Sequence, residues 1–192
     1  MIWQQAKRWF WGCVLVLSTA AQASDTLMQP GLTACWYFTQ SSETQPEVEF
    51  ARHDHCGYKN ARGDWVMARA HLQALDFAPD HLATVQVAGQ FYYVNRSGRT
   101  VPVVMYDNWA DAFEAGLVRT QKQGKIGYVN TQLALVIPAI YDWGFPFEQG
   151  RAVVCRGCEL IRHGDHQRVS GGQWGEINVQ GEVVVPFVEK MR

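Results

Sequence analysis

What this 192-residue chain lacks narrows its chemistry first. It has no phosphate-cradling glycine loop, no Gly-x-Ser-x-Gly and no His-Glu-x-x-His, and its serines and histidines form no recognisable nucleophile arrangement. The familiar signatures of nucleotide hydrolysis, acyl transfer and zinc proteolysis are therefore missing, and the chain is read as a non-enzyme that needs no cofactor. It also lacks a basic excess: 17 Lys and Arg stand against 18 Asp and Glu, a formal charge of −1, so no field attracts nucleic acid. No Pro- or Ser-rich stretch separates two domains, and past the N-terminus no apolar run approaches the roughly 20 residues that span a bilayer. One domain without a transmembrane segment is the expectation.

What is present begins with an export signal. Lys7 and Arg8 precede an apolar stretch, Trp9–Leu17, and Ala21-x-Ala23 ends the segment before the first acidic residue, Asp25. This pattern predicts a signal peptide over 1–23, cleaved before Ser24, and a periplasmic or secreted protein. Cys13 lies near the start of the apolar stretch, the wrong place for a lipidated cysteine. Removing Lys7 and Arg8 from the 17 basic residues leaves 15 against 18 acidic ones, a charge of −3. Four cysteines remain after cleavage: Cys35, Cys56, Cys155 and Cys158. In an oxidising compartment an even number suggests disulfides before metal.

The chain repeats itself. Gln90-Phe-Tyr-Tyr-Val-Asn95 aligns with Lys125-Ile-Gly-Tyr-Val-Asn130 and with Gln173-Trp-Gly-Glu-Ile-Asn178, and His55-Cys-Gly-Tyr-Lys-Asn60 is an earlier copy. Asn60, Asn95, Asn130 and Asn178 mark the copies, and Gly63, Gly98 and Gly181 follow three of them at the same distance. Apolar lead runs precede each motif at 47–50, 82–85, 117–120 and 151–154, and the runs that follow in the last three copies end near Pro102, Pro138 and Pro186. Each unit reads as three short antiparallel strands. Asparagine bonds its own downstream backbone and glycine takes the left-handed position that closes the second hairpin. Proline is expected to end the third strand, since it has no N–H for the ladder.

These units resemble the WG repeat, also called the KWG repeat, of exported bacterial proteins. The resemblance covers about residues 47–187 and rests on the glycine, tyrosine and Asn-x-x-Gly positions, with Tyr93 and Tyr128 at the motif tyrosine. Trp-Gly is intact at Trp174-Gly175; Ile126-Gly127 keeps the glycine, Phe91-Tyr92 keeps neither, and Cys56-Gly57 has a thiol in place of tryptophan. The resemblance implies an all-β tandem array of about four ~35-residue three-stranded repeats spanning 47–192, preceded by a capping segment over 24–46. It implies a structural or binding module with no shared chemistry.

The fourth unit carries an insertion at about 156–172, where the second and third units have a tight turn. It opens as CRGCELIRHGDH and offers Cys155, Cys158, His163 and His166. Three readings are open: a local Cys155–Cys158 disulfide pinching the neck of a long hairpin, a metal site using all four residues, or a thiol-exchange centre. Compartment and context favour the disulfide, which leaves Cys35 and Cys56 for each other and ties the cap to the first unit.

Other candidates have structural readings beside functional ones. His53-Asp54-His55 next to Cys56 is half a metal site or, at its place in the first unit, a polar hairpin turn. Asp107 and Asp142 follow tyrosine at matching positions and read as turn acceptors. Trp65, Trp109, Trp143 and Trp174 are candidates to line a groove; Trp174 reads as core, whereas Trp109 and Trp143 are the candidate partner surface. Two functional classes result. One is an extracytoplasmic binding or scaffold protein that contacts a protein, glycan or envelope component; the other is a metal or redox protein acting through the insertion.

Overall fold

In a computed structural model the described residues are 31–41, 48–163 and 166–189, with side chains described outside 162–167. The signal peptide over 1–23, the cleavage point at Ser24, and Cys13 lie outside them. The first element, β1 (Thr33–Phe38), alternates buried Cys35 and Tyr37 with exposed Trp36, as a strand between two faces must. It pairs with β2 (Phe50–Lys59) through Cys35↔His53 and Phe38↔Phe50. Asn60 turns β2 into β3 (Trp65–Met67), and a short helix follows, α1 (Arg69–Ala74).

Two sequence expectations fail in this region. The lead strand of the first unit is β1, from within the segment read as a cap, and not the run at 47–50. His53-Asp54-His55 is not a hairpin turn, because β1 already supplies the antiparallel partner and β2 runs through as one ten-residue strand. His55 instead takes a left-handed φ of 58° where the β1–β2 register slips.

The next unit is regular. β4 (Leu82–Val87) turns through Ala88-Gly89, with φ of 48° and 81°, into β5 (Gln90–Asn95), and Asn95 turns β5 into β6 (Thr100–Val103). Two positive φ values make the two-residue turn whose twist suits a hairpin. β1 also pairs with β4 through Tyr37↔Val85, so the first two units form one six-stranded sheet ordered β3-β2-β1-β4-β5-β6. The cap strand is thus interior to the sheet and covers no edge.

A small ribbon, β7 (Met105–Tyr106) and β8 (Trp109–Ala110), leads to a separate three-stranded sheet of β9 (Leu117–Lys122), β10 (Lys125–Asn130) and β11 (Leu135–Tyr141). Beyond it lie β12 (Trp143–Gly144), β13 (Arg151–Arg156), β14 (Glu159–His163), β15 (His166–Ser170), β16 (Gln173–Asn178) and β17 (Val183–Glu189). β12-β13-β16-β17 make a four-stranded sheet, and β14-β15 stand out as their own hairpin. The fold is all-β in its sheets, but its units are not uniform. Pro102, Pro138 and Pro186 lie inside β6, β11 and β17 and do not end them; all three strands are sheet edges, where a missing N–H is tolerated.

Candidate functional site

The asparagine turns share one geometry. Each side-chain oxygen accepts the backbone N–H groups two and four residues on: Arg62 and Asp64 at 2.9 and 3.0 Å, Ser97 and Arg99 at 3.1 and 3.0 Å, Gln132 and Ala134 at 3.1 and 2.9 Å, Gln180 and Glu182 at 3.1 and 2.9 Å. Gly63, Gly98 and Gly181 close three turns at φ near 80°. The fourth is closed by Leu133, at φ 59° and fully buried, so core packing there outweighs left-handed strain.

Two motif tyrosines join their units to the next. The Tyr93 hydroxyl donates to the Asp111 carbonyl and that of Tyr128 to the Phe145 carbonyl, both at 2.8 Å. Burial, with Asp111 and Asp80 nearby, pushes Tyr93 up to about 12, and burial also raises Tyr128. At the motif glycine the third strand passes close. A Cβ on Gly127 would meet the Ile137 carbonyl oxygen at 2.6 Å and the Ala139 nitrogen at 2.7 Å, and one on Gly175 the Val185 carbonyl oxygen at 2.8 Å. The β10–β11 and β16–β17 registers both slip at these glycines.

A buried ion pair was not legible in the sequence. Arg119, on β9, donates through Nε to Asp111 Oδ2 at 2.7 Å and through Nη1 to the Gly144 carbonyl at 3.1 Å, with both side chains almost wholly buried. Its guanidinium lies between Tyr106 and Trp143, 5.6 and 5.7 Å from their ring centres. The available signal was a lone charge inside the apolar run Leu117-Val118-Arg119.

Both expected disulfides are present: Cys35–Cys56 in the core of the six-stranded sheet and Cys155–Cys158 at the neck of the β14–β15 hairpin, with Cα separations of 5.8 and 6.1 Å. Cys155 and Cys158 pack with Trp174, whose indole N–H donates to the Gly171 carbonyl at 2.8 Å. Asp142 holds the neck from the other side, accepting the Gly157 N–H at 2.7 Å and pairing with Lys125. The Lys125 bond, helped by Gly157, draws the Asp142 carboxyl below its usual range. Asp107, its counterpart one unit earlier, sits with Asn108 in the left-handed β7–β8 turn.

The metal reading gains no support. Its two thiols are bonded to each other, and the side chains of His163 and His166 lie outside those described. Among the described residues no group of three or more His, Cys, Asp or Glu is placed to hold an ion. The His53-Asp54-His55-Cys56 cluster also disperses. Cys56 is in a disulfide, His53 stacks on Tyr37 at 3.9 Å, Asp54 pairs with Arg52 at 2.8 Å, and His55 is exposed.

The tryptophans divide in two. Trp65 and Trp174 are core, which removes Trp65 from the groove candidates. Trp143 is half-buried beside Phe145, whereas Trp109 stays 39% exposed at the centre of a ring cluster. Trp109 lies 4.9 Å from Phe50, 5.1 Å from Phe91 and 6.1 Å from Phe38, and Trp36 stacks on Phe50 at 6.4 Å. Met105 and Tyr106, in the same ribbon as Trp109, are more than half exposed. Among the described residues no helix is long and apolar enough to cross a membrane.

No curated protein and no solved structure matches the chain. A family model described as WG containing repeat matches residues 126–157, the path from β10 through β11 and β12 into β13. That stretch runs from one sheet into the next, carrying the motif glycine, Tyr128 and the Phe145 carbonyl that Tyr128 holds. Over it, the chain is linked to the WG-repeat family.

Proposed function

We propose that this chain is an exported, non-catalytic binding or scaffold protein built on about four WG-type repeats, and that it meets its partner through the aromatic surface around Trp109. The observation that carries the reading is the continuity of that surface. Trp36, Phe38, Phe50 and Trp109 come from three separate segments, touch ring to ring, and remain partly open to solvent. Half-exposed aromatics brought together in this way are the usual centre of a contact site. The repeat fits the same view, since Asp111, Asp142, Tyr93 and Tyr128 are occupied in holding units together.

The test places a photocrosslinking amino acid at position 36, 106 or 182 in cells producing the full chain. One discrete partner captured from 36 and 106 but not from 182 is expected. Equal capture from all three, or none from 36 and 106, contradicts the proposed surface. N-terminal sequencing of the exported form tests the compartment separately, with Ser24 as the expected first residue.

A further inference from the structure

A second candidate site shares no residue with the aromatic surface. The turns of the first three units line a cleft of about 760 Å³, bordered by Asn60, Arg62, Gly63 and Asp64, by Gly98–Pro102 and by Thr120–Gln123, with Leu133 and Leu135 at its side. Its size is that of a ligand site. Three cations stand on its rim, Arg62, Arg99 and Lys122, all exposed. Arg62 reaches Asp64 at 3.5 Å, and among the described residues Arg99 and Lys122 have no ion-pair partner. The cleft therefore concentrates positive charge on a chain whose formal charge is −1.

We infer that this cleft binds an extended peptide carrying carboxylates, a segment of a partner in which Glu or Asp alternates with aliphatic residues. The cations select the carboxylates, and Val66, Val101, Pro102 and Leu135 between them take the aliphatic groups. The main chain argues for a peptide over an acidic sugar. β3 and β6 are the two edges of the six-stranded sheet, and no ladder joins them. One side-chain bond, from the Thr100 hydroxyl to the Trp65 carbonyl, bridges the gap. The Trp65 carbonyl is taken by Thr100 and the Pro102 carbonyl by the Thr120 hydroxyl at 2.7 Å, and an extended peptide uses the main-chain groups that remain on these two edges. A sugar chain is usually met by an exposed aromatic ring, and the one aromatic ring among the described residues of the lining, Trp65, is buried.

Fluorescence polarisation of the full-length mature protein decides it. The probe is a short fluorescein-labelled peptide alternating Glu and Val; the comparison probes are its Lys–Val counterpart and labelled oligogalacturonate. Saturable binding of the Glu–Val peptide alone is expected, weakened by added salt as exposed charges require. Arg99→Glu and Lys122→Glu should each weaken it by about tenfold or more, while Arg168→Glu, the same charge change on the far hairpin, should leave it within about twofold. Each variant is first shown to melt like the parent, and one that does not is replaced by its Gln form. Absence of saturable binding overturns the proposal. An Arg168→Glu effect equal to that of Arg99→Glu also overturns it, and so does oligogalacturonate binding as tightly as the peptide.

Discussion

The unit around Asn95 and the unit around Asn130 are built on the same frame and differ at one residue with large consequences. In both, lead strand pairs with motif strand in the same register, Leu82↔Asn95 and Leu117↔Asn130. Both have the same side-chain-closed turn and the same tyrosine bond to the next unit. At the motif position before tyrosine, however, one has Tyr92 and the other Gly127. With a side chain there, β5–β6 stays in plain register, Phe91↔Val103 through Val94↔Thr100. Without one, β11 passes over the glycine and the register slips. Gly175 shows the same slip, whereas Gly57 in the first unit does not, β2–β3 staying in plain register from Gly57↔Met67 to Lys59↔Trp65; the glycine admits a close third strand, and the slip marks the third and fourth units.

The comparison can be broken most severely at the joint between these two units. Asp111→Ala leaves the Arg119 guanidinium buried without its carboxylate and is expected to cost about 3–5 kcal/mol in urea denaturation. Phe145→Ala, one unit on and 43% exposed, should cost no more than about 1 kcal/mol. Equal losses would mean the ion pair is not what holds the joint.

Next in size is Gly127→Ala. The atoms a Cβ would meet are backbone and cannot step aside, so a loss of about 3 kcal/mol is expected, at the upper end for overpacking. Gly175→Ala should behave alike, and a melting temperature unchanged in both would remove the glycine from the account. Smaller again, Asn95→Ala and Asn130→Ala should each cost about 1–2 kcal/mol, because two backbone N–H groups lose a partner in either turn. Here the prediction is sameness: a gap well beyond about 0.5 kcal/mol between the two variants would mean the turns are not equivalent.

The last effect is in pH. Tyr93, held up to about 12 chiefly by burial, is favoured in its neutral form by the fold. Its contribution is complete below the ordinary tyrosine value of about 10 and is lost as pH rises from there towards 12. Tyr93→Phe should be less stable at neutral pH yet show a shallower decline over that window. A parallel decline would show that Tyr93 is not the titrating group.

How much of this was legible follows from distance along the chain. The asparagine turns act within four residues, and their side-chain chemistry can be read directly. The two cysteine pairings follow from a small even number and a short spacing. The first unit was misread because the segment between β1 and β2 breaks the ~35-residue spacing, so the lead strand was sought beside its motif at 47–50. Six-residue α1 is too short to print a helical period. Arg119 and Asp111 lie eight residues apart on opposite sides of a turn, and nothing local marks them as partners. Neither the cleft nor the aromatic surface is local, since each gathers residues from separate units, and of the latter only Trp109 stood out.

The claim that one shared frame carries two third-strand paths, slipped over Gly127 and plain beside Tyr92, is tested most directly by cross-strand Hα and amide contacts in nuclear magnetic resonance. The account predicts Tyr128 opposite Ile137 beside Val129 opposite Leu135, a slipped pair, and Tyr93 opposite Val101 beside Tyr92 opposite Pro102, an unslipped one. Tyr128 found opposite Val136, continuing the plain ladder from Val129 and Leu135, would contradict it.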